Sequence, residues 1–294
     1  MSTDYPDHFE LDARRALGYL TRTLDSDSEQ LLRSVAAGDE AQCDGSLASF
    51  ALQQHFGILP ASLYGTPGAK HFFVHSMSVA TELRRFAEYG QMMPDRFARR
   101  ETPFQFVDGA PQYASFHALQ QALGGPGALL THDGVVDSLY LLIYAGGHCS
   151  LMIVSGRRRK AVHLDSLCIP EHQELARRLM ALMISARLLP PNLIELVFPR
   201  TSLQRGSWEC NWCALMFAGW WKEQQGDGDV HAALAVPVTQ PAIVALAREM
   251  LACNERMKKL LCYSKRLKRS YGVFQGRVPE KRTAQTQMNL LVTL

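Results

Sequence analysis

Apolar residues in the middle of the chain gather into short runs, with helical spacing on either side. Asp137 to Tyr144 (DSLYLLIY), His148 to Val154 (HCSLMIV) and Ala161 to Leu167 (AVHLDSL) are runs of strand length. Ala145-Gly146-Gly147 separates the first two, and Ser155-Gly156 with three arginines separates the second from the third. Apolar runs bounded by turn residues predict three sequential strands paired as antiparallel hairpins. Pro170 opens a helical pattern that reaches Leu188 and stops at Pro190-Pro191, since proline suits a first helical turn and cannot continue a helix. Leu193 to Phe198 (LIELVF) predicts a fourth strand. Cys210 to Lys222 is apolar on nearly all sides and rich in Trp, which predicts a buried helix.

The flanks read differently. Residues 1–45 are polar and rich in Ser and Asp, with one amphipathic stretch near Leu11 to Leu24, and are expected to form a flexible arm with a helix or two, weakly docked at best. Ser46 to Tyr89 has helical spacing, most clearly over Ser76 to Tyr89, and Gly90 to Gly127 reads as loops around short elements. From Gln240 a helix is expected to about Leu267. Between Arg256 and Arg269 it carries seven Lys or Arg residues and no acid. The expected organisation is an arm over 1–45, a catalytic domain over 46–235 with a helical N-terminal part, and a basic helical segment over 236–294.

Composition narrows the function classes. Across 294 residues, 47% are hydrophobic and 20% charged, the balance of an ordinary globular protein. A net charge of +3 is too small to mark the whole chain as a nucleic-acid binder, so any basic function must come from local clustering. Neither an apolar run of membrane-spanning length nor a Sec-type leader is visible, and a Met-Ser start does not suit N-myristoylation. The cysteines, Cys43, Cys149, Cys168, Cys210, Cys213, Cys253 and Cys262, are odd in number and irregularly spaced, which suits reduced thiols that are mostly small buried hydrophobes.

Within this frame one constellation carries chemistry. Thiol catalysis needs a thiolate, a base, a group that holds the base, and donors for an oxyanion. Cys210 stands where a loop enters a buried helix, and a helix N-terminus lowers a thiol's pKa. His148 begins one strand and Asp165 ends the next, so a hairpin brings them side by side as base and orienter. Gln204, six residues before Cys210, can turn its side-chain amide toward the oxyanion, and the Cys210 backbone N–H supplies a second donor. His163 alternates with Asp165 on one strand and is the alternative base. Cys210 and Cys213 form a CxxC, but Cys149, Cys168 and His163 are too scattered for a zinc set, and the strand order is not the βαβ frame of a redox CxxC. No GxxxxGK[ST], GxGxxG or HExxH occurs.

The stretch from Leu175 to Trp221, with QRGSWECNWCALMFAGWW at its heart, resembles the catalytic segment of the YopJ family of type III effector acetyltransferases. That family places a histidine in a strand, an acid nearly twenty residues on, a helix, a strand, and Gln-x5-Cys with an acid before the cysteine. Here these slots hold His148, Asp165, the helix Glu171 to Leu188, the strand Leu193 to Phe198, Gln204, Glu209 and Cys210. A weaker match lies at Met92-Met93-Pro94, and the resemblance covers about residues 85–225. The same slots occur in the SUMO and ubiquitin-like-modifier proteases, which share the fold. Those proteases usually place tryptophan after the histidine, where this chain has Cys149, whereas Asp165 in LDSL matches their DSL better than the acetyltransferases' glutamate. Both families normally have glycine after the nucleophile. This chain has Asn211, whose side chain is expected to crowd the approach of an acyl donor.

The resemblance implies an α+β, papain-like fold of the ubiquitin-like-protease type, with a central mixed or antiparallel sheet flanked by helices. It implies acetyl-CoA as donor, a Ser, Thr or Lys of a host signalling or immune protein as acceptor, and secretion by a type III system with the arm as signal. It further implies activation by inositol hexakisphosphate, held by basic residues. Arg256, Lys258, Lys259, Lys265, Arg266, Lys268 and Arg269 form a cluster suited to a polyanion, although the family's Lys-His is missing from CYSKRLKRS. A modifier protease and a catalytically weak host-binding module are the competing readings.

Overall fold

The computed structural model describes residues 23–61, 69–74, 79–80, 136–156, 160–185, 189, 195–199, 204–224 and 238–272. The three middle runs are strands β3 (Ser138–Ala145), β4 (His148–Ser155) and β5 (Lys160–Leu164). They pair antiparallel, with Ala145 opposite His148 and Leu151 opposite Leu164. Gly146 and Gly147, at φ 57° and 75°, make the β3–β4 turn. A two-residue hairpin turn with positive φ at both positions matches the strand twist and calls for glycine. Strand β5 ends at Leu164, three residues earlier than the apolar run predicts. The reason is local: the Asp165 carboxylate takes the N–H groups of Leu167 and Ile169, at 2.9 and 2.7 Å, and turns the chain out of the sheet.

Strand β6 (Glu195–Val197) adds parallel to β5, and on the opposite side β2 (His71–Val74) and β1 (Leu59–Pro60) add parallel to β3. The six strands lie in the order β1-β2-β3-β4-β5-β6, a mixed sheet flanked by helices and an α+β fold as expected. Strands β1 and β2 fall where helices are expected. They are two and four residues long, too short to display the alternation that marks a strand. Most of Ser76 to Tyr89, all of Gly90 to Gly127, and residues 11–22 of the amphipathic stretch lie outside the described residues.

Strand faces alternate, and both are covered. Tyr140, Leu142, Leu151, Ile153, Val162 and Leu164 point toward helices α1 (Ser26–Ala37), α2 (Gly45–Phe50), α4 (Cys210–Glu223) and α5 (Gln240–Gly272). Leu139, Leu141, Ile143, Met152 and Val154 point toward α3 (Pro170–Ser185). Burial on both faces explains why β3 and β4 read as continuous apolar runs rather than alternating ones.

The expected division of the chain changes at its ends. Residues 24–45, expected as part of an arm with a helix or two weakly docked, do carry a helix, α1, capped by the Asp25 side chain and closed by Gly38 at φ 111°, but it is firmly packed. Leu32 and Val35 are fully buried in the same apolar cluster as Trp212, Trp221 and Met250. Seams of hydrogen bonds tie α1 to α5: Asn254 Oδ1 accepts from the Leu24 N–H at 3.0 Å, and Arg248 donates to the Ala36 carbonyl at 3.1 Å. Hydrophobic content in α1 is low, so its apolar stripe reads as an arm until α5 supplies the surface that covers it. No described helix is long and apolar enough to cross a membrane.

Candidate active site

The place of Cys210, the candidate nucleophile, follows from the loop before helix α4. Glu209 is buried, and its carboxylate accepts from the Arg205 and Gly206 N–H groups at 2.5 and 3.0 Å. That clamp folds residues 205–209 into a tight turn and delivers Cys210 as the first residue of the helix. Trp212, Phe217 and Trp221 bury the rest of α4 against the sheet, and the Trp221 indole N–H donates to Ser138 at 3.0 Å. Gly219 is required there, because a Cβ would meet the Phe56 ring at 2.4 Å.

His148 leaves the β3–β4 turn as the first residue of β4, and Asp165 follows the last residue of β5. Their side chains are 7% and 3% exposed and meet at 2.6 Å, His148 Nε2 to Asp165 Oδ1. Since the carboxylate only accepts, Nε2 carries a proton, and Nδ1 is the nitrogen left for the thiol. Burial alone would lower the His148 pKa. The bonds to Asp165 and then to Cys210 outweigh it and raise the imidazole to about 9. Burial would likewise raise the Cys210 thiol, but the His148 hydrogen bond and the N–H groups of Cys149 and Asn211 hold it below its ordinary value. Asp165 behaves similarly: burial opposes its charge, while His148 and the Leu167 and Ile169 amides keep it a carboxylate. The three groups form a buried Cys–His–Asp chain in which each polar partner opposes the effect of burial on the next, an arrangement suited to nucleophilic thiol chemistry.

No protein-family model and no curated protein matches the chain. Among solved structures, a de-sumoylating protease aligns with TM-score 0.46 at 12% identity, over 82% of this chain and 89% of that one. The C-terminal Ulp1 protease domain in complex with Smt3, the yeast ortholog of SUMO, aligns with TM-score 0.37 at 12% identity, over 79% and 99%. The Chaetomium thermophilum Ulp1-like SUMO protease catalytic domain aligns with TM-score 0.35 at 16% identity, over 80% and 90%. The chain is similar to Ulp1-like proteases in fold. The chemistry of its site rests on the distances above.

Behind His148 lies a second chain of groups, of which sequence reasoning singled out His163 alone. His172 packs edge-on against the His148 ring, with centroids 4.7 Å apart. Its Nε2 faces the Ala145 carbonyl at 3.1 Å and therefore carries the proton. Burial lowers the His172 pKa, which favours the neutral ring in which Nδ1 accepts from the Ser150 hydroxyl at 2.7 Å. With its hydrogen spent, Ser150 accepts from His163 Nε2 at 2.9 Å. His163, the alternative base, is thus occupied at Ser150, and burial pushes its pKa down to about 4. With His172 neutral, donor and acceptor assignments in this relay follow from the carbonyl at its end. His148, Asp165 and His172 also form a compact potential metal group, but both His172 nitrogens and His148 Nε2 are already engaged in these bonds. The only sequence signal for His172 was its place two residues after Pro170, and Ser150 gave none.

The remaining predicted residues fall as follows. The Gln204 carbonyl accepts from Ser166 at 2.8 Å and its amide donates to the Gly206 carbonyl at 2.6 Å, so the side chain braces the turn before Cys210. Cys213 is buried one turn beyond Cys210, and burial raises its pKa to about 12, which leaves it a protonated core thiol. The Asn211 side chain does not stand over the thiol. It is buried and donates to the Cys43 carbonyl. Lys258 is held by Glu29 at 2.5 Å and Glu255 at 3.1 Å, while Arg256 and Lys259 are exposed. Lys265, Arg266, Lys268 and Arg269 lie on α5, and their side chains are outside the described residues.

Proposed function

We propose that the protein is an acyl-transfer enzyme that carries acetyl from acetyl-CoA, through a thioester on Cys210, to a Ser, Thr or Lys side chain of a host protein. The observation that carries the acyl-transfer step is the 2.6 Å His148–Asp165 bond beside a thiol held below its ordinary pKa. Thiolate attack on the acetyl carbon forms the C–S bond to Cys210 and breaks the bond to CoA. The departing CoA thiolate takes the proton from His148. The acceptor hydroxyl or amine then attacks the acetyl carbon, gives its proton to His148, and Cys210 leaves as a thiolate. The Cys210 backbone N–H, with the second N–H of the Gln204 amide, serves the oxyanion at each step. The acetyl donor and host acceptor come from the YopJ resemblance, as do type III delivery and inositol hexakisphosphate at the α5 basic cluster. Buried Cys149 after His148 supports that branch, because the bulky cap that a modifier protease uses to narrow a tunnel is replaced by a small core side chain.

A second reading, hydrolysis of a ubiquitin-like modifier's C-terminal bond, is favoured by Asp165 standing in a DSL run. One experiment separates the two. Purified protein is incubated with radiolabelled acetyl-CoA, with and without inositol hexakisphosphate, beside Cys210→Ala. The expected result is acid-stable, hydroxylamine-sensitive label on the intact chain alone, increased by inositol hexakisphosphate. Absence of label in every arm, with capture of Cys210 by an electrophilic ubiquitin-like probe, would establish the protease reading instead.

A further inference from the structure

The segment between α1 and α2, residues 38–44, reaches the nucleophile from far upstream, Gln42 standing 168 positions before Cys210. Three contacts seat it on the first turn of α4. The Asn211 amide donates to the Cys43 carbonyl, the Trp212 indole N–H donates to the Ala41 carbonyl at 3.0 Å, and between them Gln42 brings its amide nitrogen to 4.0 Å from Cys210 Sγ. Cys43 is fully buried and Asp44 caps α2 through the Leu47 N–H at 2.7 Å, so the backbone on either side of Gln42 is fixed. Gln42 itself is exposed.

We infer that Gln42 is a catalytic residue, an oxyanion donor for the acyl group on Cys210, and that Asn211 is the positioning residue that holds it there. The inference rests on the acyl-transfer reading of Cys210 and extends it. At 4.0 Å the amide is too far from sulfur for a strong bond to the resting thiolate. An oxyanion on the acyl carbon stands two bonds out from that sulfur, where a donor needs to be about 3 Å from the oxygen. The amide therefore suits the tetrahedral state better than the ground state, which is the condition for accelerating the chemical step. Gln204, the donor expected from sequence, has its carbonyl and one N–H committed to Ser166 and Gly206, which leaves it a single N–H for the oxyanion and room for Gln42 as a further donor. Asn211 is otherwise hard to explain at this place. Its Oδ1 is buried without a partner among the described residues, an unfavourable arrangement that the bond to Cys43 offsets.

The test uses two reagents on the full chain. p-Nitrophenyl acetate acylates a reactive thiol through an oxyanion, and iodoacetamide alkylates it without one. Gln42→Ala is expected to slow the nitrophenol burst about tenfold or more, within the range for loss of an oxyanion donor, while alkylation stays at the wild-type rate. Asn211→Ala is expected to slow the burst similarly, and adding Gln42→Ala to it should cost little more, since the donor is already displaced. A burst left unchanged by Gln42→Ala, or one that falls in parallel with alkylation, overturns the proposal. A wild-type burst no larger than that of Cys210→Ala would instead remove the acyl-transfer reading itself, a result visible before any Gln42 variant is compared.

Discussion

At the scale of single residues, the site is a set of opposed pKa effects with one sign. Asp165 raises His148, and His148 lowers Cys210, each against the burial that would do the reverse. Asp165→Asn should undo both: His148 loses its anionic partner, its pKa falls, and the Cys210 thiol moves up. Iodoacetamide rates measured across pH should show the midpoint displaced upward, with alkylation at pH 6 reduced about tenfold, the equivalent of one pKa unit. An unchanged profile would mean that Asp165 serves only to shape the turn through Leu167 and Ile169. That His148, Asp165 and Cys210 would meet was legible in the sequence, because the hairpin brings His148 beside Asp165 and those residue types in that order suggest thiol chemistry. Ser150, His172 and Gln42 were not. Serine, histidine and glutamine acquire meaning there only from a carbonyl, a ring or a sulfur that the fold brings beside them.

Among elements, the instructive case is α1. Its sequence is polar enough to read as an arm, yet Leu32 and Val35 enter the core formed by α4 and α5. Leu32→Ala should cost about 2–5 kcal/mol, the range for a fully buried leucine. Chemical denaturation followed by both tryptophan fluorescence and circular dichroism should show one shifted transition. An early, separate loss of helix signal would mean that α1 folds apart from the site. The segment carrying Gln42 connects α1 to α2, so loosening α1 should also reduce the nitrophenol burst. Strands β3 to β5, helix α3 and helix α4 were legible because their patterns are long or strongly bounded. Strand β2 is an addition to the edge of β3 and β1 an addition to β2, and nothing within their few residues demands a strand.

For the molecule as a whole, buried neutral histidines set a pH response. His71 and His163 are both pushed to about 4 by burial, and His172 is lowered in the same direction. Unfolded histidine titrates near pH 6.5, so in this window the unfolded chain binds more protons than the folded one. Their contribution to stability is therefore full above about pH 6.5 and is lost as pH falls toward 4. Melting temperature should drop between pH 7 and pH 5, and His163→Gln, which keeps a donor for Ser150, should show a shallower drop. An equal slope in the variant would mean that His163 is not held neutral. By itself the sequence determined the strand–turn–strand centre and the helix that carries Cys210, and it singled out His148, Asp165 and Cys210 as candidates, because periodicity, turn chemistry and residue type act over a few neighbouring positions. Only the tertiary structure decided that α1 belongs to the core, that His172 and Ser150 stand behind the base, and that Gln42 meets the nucleophile. Those contacts join residues as far apart as Leu24 and Asn254, 230 positions along the chain. The free energy that makes them favourable comes from shared burial, which no local stretch of sequence contains.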